Sequence, residues 1–261
     1  MLNQSRGRTA AFSVAAGIVL MFLAGPLVKL VVTSNPHLLI GSFADPDVLR
    51  AIGLSIAAAT WATLLGAILG LPLAYLLARQ EFSGKAIIEG LIDLPIVVPH
   101  PIAGIALLFI FGRRFFVGHT FSLIGIHFAG AVPGIVIAML FVSAPFLINA
   151  ARDGFRAVDP RLEGVARTLG HGPWAAFFGV TMPMARGAIV SGAVMMWARA
   201  LSEFGAVIVL AYYPMTAPVL IYDRFESAGL SAAQPIAAAV VIIALALFAM
   251  LRWFNLREAV E

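Results

Sequence analysis

Arg199 and Glu203 stand four residues apart within the apolar run WARALSEFGAVIV, and Ser202 adjoins the glutamate. An ionisable side chain near the middle of a membrane helix costs about 2.5–3.5 kcal/mol even on the lenient insertion scale, so the pair calls for an explanation. Two roles fit it. The i, i+4 spacing lets the two side chains neutralise each other on one helix face, although arginine first is the weaker order. Alternatively, Arg199 supplies positive potential to an aqueous path for an anion while Glu203 fixes its direction. A second constellation lies upstream in DLPIVVPHPIAG, where His100 is flanked by Pro99 and Pro101 and preceded by Pro95. Prolines remove N–H donors and clash with preceding carbonyls. Distorted backbone at membrane depth is tolerated where protein buries it or where it lines a water-filled cavity. His100 can offer a donor to a polar solute there, or can be satisfied by a carbonyl in a kinked, packed helix. Pro99, His100, Arg199, Ser202 and Glu203 are thus the candidate translocation path. Glu89 and Asp93, before the prolines, are expected near the cytoplasmic interface, solvated or paired.

The elements that must carry these residues follow from composition. The chain has 261 residues, 61% hydrophobic and 11% charged, with a mean hydropathy of +0.99, against roughly 25% charged in a soluble domain. This is an integral membrane protein, all-α by class, with membrane lipid as its surroundings. A helix needs about 20 apolar residues to cross the hydrocarbon core, and six stretches are predicted as spans: 10–32, 51–78, 86–111, 130–150, 184–210 and 235–255. The first apolar run is too long for a secretory signal and reads as an uncleaved span. Residues 1–49 form an amino-terminal span with its external loop, 50–255 a core, and 256–261 a tail.

With alternating spans and a cytoplasmic amino terminus, Arg6, Arg8, Arg79, Lys85, Arg152, Arg156, Arg161, Arg167, Arg186, Arg252 and Arg257 fall inside. Lys29, Arg50, Arg113, Arg114 and Arg224 fall outside. The excess favours both termini in the cytoplasm of a multi-pass cell-membrane protein, with Arg113 and Arg114 as the chief dissent. The basic residues sit in short loops rather than a stripe, which speaks against nucleic acid. Small residues at Gly66, Gly70, Gly187 and Gly192 suit helix packing. The external segment 211–234 is long for a plain connection. It is expected to hold a re-entrant or surface helix.

Between the fourth and fifth spans lies DPRLEGVARTLGHGPWAAFFGVTMP, polar enough to leave the bilayer. Asp159 suits an N-cap and Pro160 the first helical position. Leu162, Val165, Ala166 and Leu169 then make one apolar face, with Arg161, Glu163, Arg167 and Thr168 on the other. Gly170 ends the helix, Pro173 restarts a short one, and Pro183 opens the fifth span. The hairpin at 159–183 is either an amphipathic element lying on the membrane surface or a knob for a soluble partner.

The hairpin resembles the coupling loop of type I ABC importer permeases: EAA, three residues, G, nine residues, I, any residue, LP. Val165 and Ala166 stand at the alanines, Gly170 at the glycine, Val180 at the isoleucine and Met182-Pro183 at the last pair. Gly164 holds the glutamate position and Glu163 comes one residue early, so the family glutamate's contact does not carry over. The resemblance implies that Leu162, Glu163, Gly164, Val165, Ala166, Leu169, Gly170 and Pro183 form a knob seated in a cleft of an ATP-binding subunit. WARALSEFGAVIV with YYPMTAPVLIYDRFESAGL resembles the sulfate, molybdate and tungstate permeases, and among these the archaeal-type tungstate/molybdate branch. It implies a six-span permease acting as a homodimer, with two ATP-binding cassette subunits below and an extracytoplasmic solute-binding protein above.

No phosphate loop of the form GxxxxGK[ST], HExxH or GxSxG occurs, cysteine is absent, and the histidines at 37, 100, 119, 127 and 171 are scattered. No catalytic, cofactor-binding or metal-ligating residue is therefore assigned, and ATP with Mg is expected in the partner ATPase. The expected function is import of a tetrahedral oxyanion, tungstate or molybdate, by alternating access. A sulfate permease is the alternative within the class, and a stand-alone secondary transporter the alternative outside it. The latter predicts inverted repeats and coupling acids at midplane, whereas a scaffold or receptor needs no broken third span.

Overall fold

The long apolar runs become long helices, and the prolines and polar interruptions decide where they break. The computed structural model describes residues 2–258, with side chains described for 12–246 and Ala249. Arg6, Arg8, Arg252, Arg257 and all of the expected tail 256–261 have side chains outside that set. In chain order the helices are α1 (Leu2–Val32), α2 (Pro36–Ser42), α3 (Pro46–Arg79), α4 (Lys85–Val97), α5 (His100–Phe111), α6 (Phe116–Ser122) and α7 (Val132–Ala157). Then come α8 (Pro160–Thr168), α9 (Pro173–Ala176), a π-helical turn over Phe177–Thr181, α10 (Met182–Leu201), α11 (Gly205–Leu210), α12 (Ala217–Ala228) and α13 (Leu230–Glu258).

Among the described residues Phe12–Val32, Pro46–Arg79, Val132–Ala157 and Pro173–Leu201 are long and apolar enough to cross a membrane, and α4 with α5 counts as a fifth, bent span. The 29-residue α13 carries a shorter apolar stretch over Leu230–Ala246. The all-helical membrane fold expected from composition is the fold found, with up to five of the six expected spans long and apolar enough among the described residues. Two spans depart from it in form. The stretch predicted at 86–111 turns by 116° between Val97 and His100, leaving arms of about 20 and 18 Å at 1.5 Å per residue, each too short to cross alone. Pro99 is the N-cap of α5, in extended backbone. The stretch predicted as continuous over 184–210 stops at Leu201 and resumes at Gly205. The external segment does contain a helix, α12.

The chain divides into two compact units, one of Met1–Arg50 with Leu220–Leu247, the other centred on Ala51–Val219. In the first, the Phe12–Val32 span buries none of its most apolar window, as a lipid-facing helix should. Gln234 donates to Leu30 O and Thr33 Oγ1 at 3.3 and 3.0 Å, and Asp47 faces Arg50 and Arg224.

In the second unit, small residues bring backbones together. Ala58, Ala59 and Ala62 of α3, Ala103 of α5, Ala138 of α7, Ala200 of α10 and Ala206 of α11 share one buried cluster with Ile135, Met139 and Val207. A Cβ on Gly70 would lie 2.9 Å from Ile148 Cγ1, and one on Gly192 2.7 Å from Ala150 Cβ, so both serve helix packing. Gly66 packs against Met196, whereas a Cβ on Gly187 would meet no neighbour within 4 Å among the described residues. A second cluster, Ala74, Ile148, Ala151, Phe155, Val158 and Ala185, joins α3, α7 and α10 beneath the hairpin.

Candidate functional site

The breaks in the third and fifth spans meet. A Cβ on Gly205 would fall 2.7 Å from His100 Cβ and 3.1 Å from Pro101 Cδ, so the first turns of α5 and α11 touch only because residue 205 has no side chain. Gly104 continues that contact beside Ala206 O. Gly205→Ala is expected to force the two breaks apart and destabilise the fold by about 1–3 kcal/mol, the usual overpacking cost. Thermal unfolding in detergent reads this; an unchanged midpoint argues against the close approach.

At this junction Glu203, 1% exposed, accepts from Arg199 Nη2 at 2.8 Å and from the Ala206 N–H, also at 2.8 Å. Its carboxylate therefore both pairs the arginine and satisfies an N–H donor that the break in the span would leave orphaned. Arg199 Nη2 also donates to His100 Nε2, and its Nη1 reaches Ser202 Oγ at 3.4 Å. Arginine has only donors. The histidine is thus met by an arginine rather than by the carbonyl considered from sequence. All five path candidates come together here: Pro99 and Ser202 are exposed, His100 half-buried, and the Arg199 side chain 22% exposed. A polar cluster that opens at the surface of two broken spans must face water or another subunit, since lipid offers it no partner.

Glu89 and Asp93 are paired. Asp93 accepts from Asn149 Nδ2 at 2.7 Å, and Glu89 faces Arg152 at 3.4 Å and Arg156 at 2.7 Å. These bonds tie α4 to α7. An apolar cavity of about 340 Å³ lies between the same arms, lined in part by Leu91, Pro95, Leu107, Phe111, Phe141 and Pro145.

The hairpin has the expected local chemistry. Asp159 caps α8 by accepting from the Arg161 N–H at 2.9 Å, and Gly170 takes φ +93°, the left-handed geometry that ends it. The apolar face expected from helical spacing is exposed, with one exception. Leu162, Val165 and Leu169 are exposed, Leu169 by 76%, and Trp174 and Phe178 beside them are exposed too, Trp174 by 75%. Ala166, assigned to the same apolar face, turns inward at 8% exposure. Glu163, placed on the face opposite the apolar one, turns inward as well. Gly164 is exposed with open space around it, and Pro183 lies in the first turn of α10.

Glu163 accepts from Tyr75 Oη at 2.7 Å, from Arg79 Nε and Nη2 at 3.1 and 2.9 Å, and from Thr181 Oγ1. Arg79 Nη1 donates to Val158 O at 2.8 Å, at the end of α7. Tyr75, Arg79 and Thr181 were not legible as site residues. Arg79 registered in the sequence only as one more cytoplasmic charge, and no local pattern links it to a glutamate 84 positions away. Burial works to raise the Glu163 carboxyl, yet donation from Thr181, Tyr75 and Arg79, with the arginine's charge, holds its pKa below the ordinary 4.5. A depressed carboxyl stabilises fully above its unfolded value and loses that contribution as pH falls through the native one. Amide protection of α8 is therefore expected to hold from about pH 8 to 5 and to fall only below the ordinary carboxyl range. Loss of protection above pH 6 would show that another group holds the hairpin.

Residues 64–259 match the family described as binding-protein-dependent transport system inner membrane component. The chain is 44% identical over 244 residues to the molybdate/tungstate transport system permease protein WtpB of Thermococcus kodakarensis, covering 93% of this chain and 94% of that one. It is 34% identical over 206 residues to a probable sulfate transport system permease protein cysT of Chlorokybus atmophyticus, covering 77% and 72%. A bacterial ABC transporter involved in import of the acidic polysaccharide alginate shares the fold with a TM-score of 0.72 at 18% identity, over 98% of this chain and 97% of that one. An amino acid ABC transporter superimposes with a TM-score of 0.57 over 81% of this chain. With three quarters of its length inside the family's span and the fold of importer permeases, the chain belongs to the inner membrane components of binding-protein-dependent transport systems.

Proposed function

We propose that this chain is the membrane subunit of an ATP-driven importer for molybdate or tungstate, working as a homodimer with two ATP-binding subunits and an extracytoplasmic binding protein. The observation that carries this reading is the Arg199, His100 and Ser202 cluster, opening at the meeting of two broken spans. Its chemistry suits a tetrahedral dianion: a cation, a ring N–H at Nδ1 and a hydroxyl. Because Glu203 already neutralises Arg199, the dianion is held weakly and can leave, as a conduit requires. The similarity to WtpB over nearly the whole chain supports the substrate class. Sulfate has the same charge and shape, and the cysT relative keeps it as the second reading.

The exposed Leu162, Val165, Leu169, Trp174 and Phe178 supply the docking knob for the ATP-binding subunit, and both termini lie on its side of the membrane. An apolar patch of this kind, on the hairpin that leads into the fifth span, marks an interaction surface. Nucleotide, with its Mg, binds the partner and drives the cycle from there. Co-expression with the ATP-binding subunit and native mass measurement test this directly. Two copies of each chain are expected, with hydrolysis stimulated by oxyanion-loaded binding protein; a chain that recruits no ATPase refutes the proposal.

A further inference from the structure

Of the two hairpin helices, α9 runs on through the π-helical turn into α10, whereas α8, nine residues long, is too short to hold an orientation by itself, since isolated helices below about 12–15 residues are marginal in water. The direction of α8 must be fixed from outside, and one carboxylate collects the fixing bonds. Glu163 on α8 takes Tyr75 and Arg79 from the last turns of α3 and Thr181 from the turn that opens α10. Through Arg79 the same set reaches Val158 O, where α7 hands over to the hairpin. The side chains of Arg79 and Glu163 are only 11% and 18% exposed. Tyr75 packs edge-on to Phe155 of α7 and Phe177 of the π-helical turn, at 5.6 and 4.7 Å between ring centroids. Three spans and the knob thus converge on one acceptor. The π-helical turn places Thr181, which is fully buried, on that acceptor.

We propose that Glu163 is a positioning latch, which locks the docking hairpin to the cytoplasmic ends of α3, α7 and α10 so that the knob and these spans move as one body. The inference rests on the docking role proposed above for the hairpin, and it gives Glu163 an inward task distinct from any contact with the ATPase. With the latch closed, displacement of the knob tilts α3 and α10, and α10 runs on to Arg199. With it open, the knob can rock in its cleft while the spans stay still. Hydrolysis then proceeds without transport.

Tyr75→Phe and Thr181→Val each remove one hydroxyl with little change of shape, and Glu163→Gln removes the charge. The measured quantity is ATP hydrolysed per labelled molybdate taken up, with the chain reconstituted alongside its ATP-binding subunit and binding protein. Losing one of the two hydroxyl donors is expected to raise that ratio about threefold, and losing the carboxylate's charge about tenfold, with assembly retained. A loss of folding alone would lower uptake and hydrolysis together and leave the ratio unmoved. Because the chain has no cysteine, a spin label on His171→Cys at the hairpin tip reports its motion in the lipid-embedded chain without any transport assay. The label should become more mobile in all three variants. An unchanged ratio together with an unchanged label overturns the latch, as does a mobile label with wild-type coupling. Absence of uptake by the unaltered assembly would instead count against the importer proposal, while the label still decides the latch. If Glu163→Gln fails to fold, the two hydroxyl variants decide.

Discussion

Arg199→Gln combined with Glu203→Gln is expected to reduce oxyanion uptake by about tenfold to a hundredfold while the complex still assembles, the loss that a charge-assisted hydrogen bond to the passing anion represents. The pair is changed together for a physical reason. Arg199→Gln alone leaves Glu203, 1% exposed, without its counter-charge, and breaking a buried pair from one side costs about 3–5 kcal/mol. A glutamine at 199 can still donate toward the 203 side chain. A glutamine at 203 keeps an acceptor for the Ala206 N–H that now bonds Oε1. The double variant therefore removes charge from the path while preserving the bonds that shape the break. Complex recovery and initial uptake rate, measured on the same preparation, separate the two roles: if assembly collapses, the pair is structural; if uptake is unaffected, it does not line the path.

Leu169→Asp carries the second large effect. Leu169 follows the last residue of α8 and is 76% exposed, so an aspartate there is harmless to the chain by itself. It becomes costly only if the knob is buried in a partner. Placing an unpaired carboxylate in an apolar cleft costs several kcal/mol, and uptake is expected to fall by about a hundredfold, at 1.4 kcal/mol per tenfold. Hydrolysis by the ATP-binding subunit should continue, no longer tied to transport. Coupling that survives Leu169→Asp would mean that the hairpin rests on the membrane surface rather than in a cleft.

What could be read from the sequence was what depends on neighbours in the chain. The spans were legible because a run of some 20 apolar residues has few other fates. The hairpin's ends were legible because Asp159, Pro160 and Gly170 act within a residue or two of themselves. The broken third span was legible in its prolines, though not its 116° turn, since a proline removes bonds without setting the angle that packing then selects. The break at 202–204 escaped because three residues vanish inside a 20-residue apolar average, although Ser202 and Glu203, with Gly205 two positions on, were a local sign of it. The hairpin's apolar side was legible too, with Leu162, Val165 and Leu169 left exposed, whereas Ala166 turns inward because helical spacing alone does not show which side of α8 meets the rest of the chain. The Glu163 latch lay beyond any such pattern, because its donors come from a helix that ends 84 residues earlier and from a turn 18 residues later.

The central claim is ATP-dependent oxyanion import through this subunit, and uptake of labelled tungstate, molybdate and sulfate addresses it at once. Vesicles holding the chain with its ATP-binding and solute-binding partners are compared with and without ATP. Uptake should require ATP and favour tungstate or molybdate over sulfate. A preference for sulfate would move the assignment to the sulfate permeases, and uptake that proceeds equally well without ATP would end the importer reading altogether.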